Sequence, residues 1–228
     1  MILVTGASRG LGRAICERLL ARGDAVVGLA RKVAGLPFPA LECDVADAVQ
    51  VRAAAKRLRA DEFQAGPRHA LVNAAGIASM NLALTTPAGV ARRIVETNLL
   101  GTIHCCQQFG PLLIRHKPAR IINFSTIAVA LGLKGESVYA ASKAGVESFT
   151  RVFAREMADF DVTVNCIAPG PIATDLIRGV PKQQIDAVVA QQVIPRQFSP
   201  DAVCDLVELL LSPLARSISG EVLHVGGA

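Results

Sequence analysis

Short apolar runs alternate with longer amphipathic segments along this 228-residue chain. Ile2–Val4, Ala25–Leu29, Ala40–Glu42, Ala70–Asn73, Arg120–Phe124, Val162–Ile167 and Val222–Val225 read as strands. Leu11–Arg22, Val49–Leu58, Val90–Ile114, Tyr139–Ala158 and Ala202–Leu211 read as helices; in the first, Leu11, Ala14, Ile15 and Leu19 mark one buried face. Strand and helix in regular alternation imply right-handed crossovers and a mostly parallel sheet. Runs such as Ala25-Val26-Val27-Gly28-Leu29 are apolar at every position, so both faces of the sheet must be covered. The expected fold class is α/β: a doubly wound parallel β-sheet with helices on both faces. No linker divides the chain, so residues 1–228 are expected to form one domain.

Composition narrows the functions available. Hydrophobic residues make up 51% and charged residues 19%, which excludes disorder. There are eight Phe, no Trp and one tyrosine, Tyr139. Proteins that stack bases need aromatic platforms, so a nucleic-acid partner is not expected. The net charge of +5 is spread along the chain and suits a small anionic ligand as well as solvated helix faces. Cysteines 16, 43, 105, 106, 166 and 204 form no C-x-x-C pair, and His69, His104, His116 and His224 do not cluster. Reduced thiols and no metal are the expectation. With no long apolar stretch and a strand starting at Ile2, neither a membrane span nor a leader is expected, and the location predicted is cytoplasmic.

The first chemical motif is Thr5-Gly6-Ala7-Ser8-Arg9-Gly10-Leu11-Gly12, between strand one and helix one. Gly6 permits a tight turn, Gly10 lets the backbone approach a phosphate, and Gly12 allows close helix–strand packing. The amides opening a helix, with its dipole, bind anions. A glycine-rich turn without a ligand has the same letters, but the strand–turn–helix context favours a dinucleotide site.

This motif resembles the opening of the short-chain dehydrogenase/reductase superfamily, and four further marks follow in order. They are Asn73-Ala74-Ala75-Gly76 after a strand, Asn98 within a helix, Tyr139-Ala140-Ala141-Ser142-Lys143, and Pro169-Gly170-Pro171-Ile172-Ala173-Thr174. The resemblance covers essentially the whole chain and implies a Rossmann-like fold. It also implies catalytic roles for Asn98, Tyr139 and Lys143. Cofactor contacts are implied at Gly6, Ser8, Arg9, Gly10, Leu11, Gly12, Asn73–Gly76, Tyr139, Lys143, Pro169, Gly170, Ile172 and Thr174. Asp44-Val45 is similar to the family's adenine-contacting pair. Asn73 is also expected to pin neighbouring strands.

Tyr139 and Lys143 lie four apart, on one helix face. A nearby ammonium is expected to lower the phenol's pKa and so let it exchange a proton with a carbonyl or alcohol oxygen. The family places a serine thirteen residues before the tyrosine. Here that position is Thr126, with Ser125 one residue earlier. Thr126 has the same hydroxyl chemistry and a bulkier, stiffer side chain; a one-residue shift would present Ser125 instead. The count favours Thr126.

Strand two ends at Ala30-Arg31, where family members that prefer NAD carry an Asp. A 2′-phosphate wants guanidinium partners and no carboxylate. Arg31 and Arg9 therefore predict NADP. The expected activity is NADPH-dependent reduction of a ketone to a secondary alcohol. The strongest likeness is to 3-oxoacyl-acyl-carrier-protein reductases, through Arg120-Ile121-Ile122-Asn123 and Val162-Thr163-Val164-Asn165. Lys117 suits a docked carrier protein, but Asp159-Phe160-Asp161 stands where a basic residue is expected. The alternative is an NADP-binding sensing protein with little turnover, suggested by the missing serine. The family implies a homodimer or homotetramer. Phe149 and Phe153 are expected in the core or a subunit contact.

Overall fold

The computed structural model describes residues 1–59 and 68–228. Seven strands are β1 (Ile2–Thr5), β2 (Val26–Ala30), β3 (Ala40–Glu42), β4 (His69–Asn73), β5 (Ala119–Phe124), β6 (Val162–Pro169) and β7 (Val222–Val225). All pair in parallel, in the order β3-β2-β1-β4-β5-β6-β7. The α-helices are α1 (Gly10–Ala21), α2 (Ala48–Arg59), α3 (Ala88–Val95), α4 (Gly101–Arg115), α5 (Ile127–Leu131), α6 (Ser137–Met157), α7 (Lys182–Val189) and α8 (Pro200–Leu211). This is the doubly wound Rossmann-like α/β architecture expected of the alternation. Among the described residues, no helix is long and apolar enough to cross a membrane.

Neighbouring residues of each strand feed opposite cores, as the two-residue period of a strand requires. Leu3 and Ile121 join α2, α4 and α6 through Val51, Phe109 and Ala154. Ile2, Val4 and Ile122 join α1 and α8 through Ile15, Leu19, Val203 and Val207. Phe149 and Phe153 stack at 5.1 Å and pack against the first core.

The long helix expected over Val90–Ile114 is broken. Between α3 and α4, residues Glu96–Leu100 form a π-helical turn. Asn98, fully buried there, accepts from the Ile77 amide and donates to the Ile77 carbonyl, both at 2.9 Å. Gly101 follows, where a Cβ would stand 2.7 Å from Val45. These tertiary contacts select the wider turn over uniform α-helix. The helices α5 and α7, short and weakly patterned, lie in segments where no helix was expected.

A buried polar chain ties strands to helix. Asn73 and Asn123 are register partners on β4 and β5. Asn73 donates to Asn123 Oδ1, and Asn123 donates to Thr150 of α6, each at 2.9 Å. Asn73 thus pins strands, as expected.

All six cysteines are free and buried. Burial pushes every thiol up, Cys16, Cys106 and Cys166 to about 12 and Cys43 and Cys204 to about 11. The folded pKa values exceed the unfolded value near 9, so the stability held by neutral thiols is complete below pH 9 and is lost above it. Lys143 acts in the opposite sense but is one group against six. Denaturant unfolding under reducing conditions should therefore show stability falling from pH 8 to pH 10, by about 1 kcal/mol for each thiol.

Candidate active site

The site lies outside the carboxyl ends of β1 and β4, where the strand order reverses and open α/β sheets hold their ligands. The two loops there are pressed together. Thr5 Oγ1 accepts from the Ala75 amide at 3.0 Å. Gly6 has φ of +69°, and a Cβ on it would stand 2.8 Å from Ala75 Cα. A Cβ on Gly12 would run into the Gly6 carbonyl. Packing demands glycine at both positions, and at Gly6 the backbone geometry demands it as well.

This contact aims the start of α1 into a cleft of about 590 Å³. Gly10, Leu11 and Gly12 open the helix, and their amides have no partner within it. The first turn carries no acidic residue of its own to neutralise the positive end of the dipole. The cradle suits a pyrophosphate. Ser8 and Arg9 line the same end, with Arg31, Asp44 and Val45 beside them. Arg9 and Arg31 are exposed and make no ion pair with a described residue, whereas Arg13, Arg18, Arg22 and Arg68 do. Ala74, Ala75 and Gly76 form the floor; Pro169, Gly170, Ile172 and Thr174 form the facing wall. The residues present therefore fit a dinucleotide. Asn73 departs from expectation, because it lies beneath the cleft without lining it.

Tyr139 and Lys143 reach the other end of the cleft from α6, where both are buried. The two hydroxyl candidates separate clearly. Thr126 caps α5, accepting from Ala128 N at 3.3 Å, and its hydroxyl stands close enough to Tyr139 to favour the phenol's ionised form. Ser125 donates at 2.6 Å to Glu147 Oε1. Ser125 touches the cleft, but its hydroxyl is committed to that carboxylate.

Lys143 Nζ donates to the Phe124 carbonyl at 2.8 Å. A Cβ placed on Gly76 would meet Lys143 Nζ at 3.5 Å and Asn98 Oδ1 at 3.4 Å, so both side chains converge behind the glycine. Asn98 does not line the cleft. It also donates to Ser142 at 3.1 Å, which links the π-turn to α6.

Burial dominates the electrostatics. Desolvation pushes Tyr139 up to about 12; the Glu136 charge raises it further, and the Thr126 hydroxyl works against both. Desolvation pulls Lys143 down to about 8. The expected lowering of the phenol by the ammonium is therefore overturned in the protein alone. The lysine is turned to a carbonyl, and loss of water disfavours both charged forms.

Three features lay beyond the sequence reading. Glu147 follows Tyr139 and Lys143 at the same four-residue spacing, a signal that was present and unused. Glu136 lines the cleft just before α6, with no motif to mark it. Leu176, Ile177, Ile185 and Val188, on and before α7, form an apolar wall with Met80 and Leu82 opposite.

Comparisons place this geometry among known proteins. A family model described as Enoyl-(Acyl carrier protein) reductase matches residues 6–227. The 3-oxoacyl-[acyl-carrier-protein] reductase of Vibrio cholerae is 37% identical over 99% of this chain and 95% of its own length. Its namesake in Staphylococcus aureus is 34% identical over 99% and 96%. The solved structure of Thermoplasma acidophilum aldohexose dehydrogenase matches with a TM-score of 0.89 and 31% identity, covering 99% of this chain and 92% of that one.

With one tyrosine and no Trp, the phenolate absorbance of the protein reports Tyr139 alone. Native protein at pH 10 should show almost none, where a solvated tyrosine would be about half ionised.

Proposed function

The chain belongs to the short-chain dehydrogenase/reductase superfamily, and on that premise we propose that it is an NADPH-dependent reductase turning a ketone into a secondary alcohol. The superfamily's chemistry is oxidoreduction with a nicotinamide cofactor; the direction, the phosphorylated cofactor and the residue roles are our reading. One observation carries it. A phenol beside the Thr126 hydroxyl lines the same cleft as an anion cradle.

The nicotinamide supplies the hydride. Tyr139 donates its proton to the carbonyl oxygen, and Thr126, beside the same hydroxyl, holds that oxygen in place. A phenol kept protonated by burial is ready to act as the acid of a reduction. Lys143, held on the Phe124 carbonyl, and Asn98 converge behind Gly76, where Lys143 would orient the cofactor's ribose. Ser125 has a structural part in this reading: with Glu147 it anchors the loop that presents Thr126. The sensing alternative rested on a missing serine, and a threonine hydroxyl in the same place removes that ground.

NADPH is supported by Ala30, which puts no carboxylate at the end of β2, and by Arg9 and Arg31, which make no ion pair with a described residue. The relatives named above support a 3-oxoacyl-type or other small ketone as substrate. Delivery by a carrier protein finds support in Lys117 and none in Asp159 and Asp161. Free buried thiols support a reducing, cytoplasmic setting. Val95, Leu100 and Val152, exposed on adjoining helices, support a homodimer or homotetramer. Strands from Ile2 to Val225 in one sheet support a single domain.

Steady-state kinetics on a panel of ketones tests the assignment. Thr126→Val should lower kcat about a hundredfold, by removing one hydroxyl at the developing charge, and far more than Ser125→Ala does. The reverse order would return the role to Ser125. Arg31→Ala should lower kcat/KM with NADPH about tenfold and leave NADH little affected. Wild-type efficiency with NADH equal to that with NADPH sinks the cofactor assignment.

A further inference from the structure

Glu136 has no task within the protein. It occupies the position before α6 where acidic side chains usually cap a helix, yet its side chain makes no cap hydrogen bond. It makes no ion pair and no side-chain hydrogen bond with any described residue, in contrast to Glu147 on Ser125 and Asp175 on Arg178. It is nevertheless partly buried, which is unfavourable for a carboxyl without a partner.

Its location explains what the partner is. Glu136 and Tyr139 are three residues apart and line the same cleft. The carboxylate charge is felt at the phenol, so the two groups are close. The walls nearby are apolar: Leu133, Met80, Leu82 and Leu176 offer no side-chain donor. Lys134, the neighbouring cation, is exposed and forms no ion pair with Glu136. Among the described residues its carboxyl has no partner and is left to water, so an occupant of the cleft that displaces this water must bring a hydrogen-bond donor of its own.

We propose that Glu136 selects substrate: its carboxyl receives a hydroxyl or protonated amine that the ketone carries close to its carbonyl group. This rests on the reductase reading and narrows its substrate class. An ionised carboxylate only accepts hydrogen bonds. A ketone with a bare alkyl arm would leave it desolvated and unpaired, and sites built around a buried polar group reject ligands that cannot satisfy it.

The test uses the NADPH-loaded protein and three ketones of equal chain length: a methyl ketone, its α-hydroxy counterpart and its α-amino counterpart. Wild-type kcat/KM should favour a donor-bearing ketone over the methyl ketone by about tenfold or more, the worth of one charge-assisted hydrogen bond. Glu136→Leu should bring the three to within about twofold. Glu136→Gln, which keeps the shape and an acceptor oxygen, should retain a hydroxyl preference and lose an amine preference. The two arms tell which donor the site takes. Calorimetric titration of the same ketones into protein loaded with NADP+, which cannot reduce them, should show the same ratios. If no ketone is reduced with either cofactor, the reductase reading fails and the binding ratios alone judge Glu136. Equal handling of the three ketones by wild type, or an unchanged ratio in Glu136→Leu, overturns the proposal.

Discussion

The contact between the loops after β1 and β4 holds the whole site in register. Gly6 lies on Ala75, Gly12 lies on Gly6, and Thr5 receives the Ala75 amide. A single added methyl group at either glycine would push the start of α1 away from β4. The amides of α1 and the floor at Ala74–Gly76 would then part. Because the sheet reverses its winding between these two strands, the loops diverge on either side and leave the cleft between them. Burial in that cleft comes from packing that has nothing to do with chemistry, and it sets the chemistry nonetheless.

Withdrawal of water is the second theme. Tyr139, Lys143 and all six thiols move toward their neutral forms for the same reason. For the thiols this makes inert packing groups. For the phenol and the amine it stores a bias that only a local partner can undo, and Thr126 is such a partner for Tyr139. The polar groups left over, Glu136 above all, then point to what must be bound.

The fold was legible because its signal is repetitive and redundant. Seven apolar runs separated by amphipathic segments leave a parallel sheet with two covered faces, and the structure has that sheet. Helix boundaries were harder wherever a distant residue decides them. Nothing local in Val90–Ile114 announces a π-turn; it forms because Asn98 reaches the backbone of Ile77, a residue twenty-one positions away.

The site divides in the same way. Spacing and residue type by themselves brought out the glycine loop, the Tyr139–Lys143 pair and the absence of a carboxylate after β2, because each is a local pattern in a continuous segment. Tertiary structure alone decided which hydroxyl is left for the phenol, since Glu147 engages that of Ser125. It alone decided the direction of the Tyr139 shift, since desolvation depends on what surrounds a group and a sequence shows only what adjoins it. Glu136 belongs with these: its significance is the lack of a partner among the described residues, which only positions in space can show.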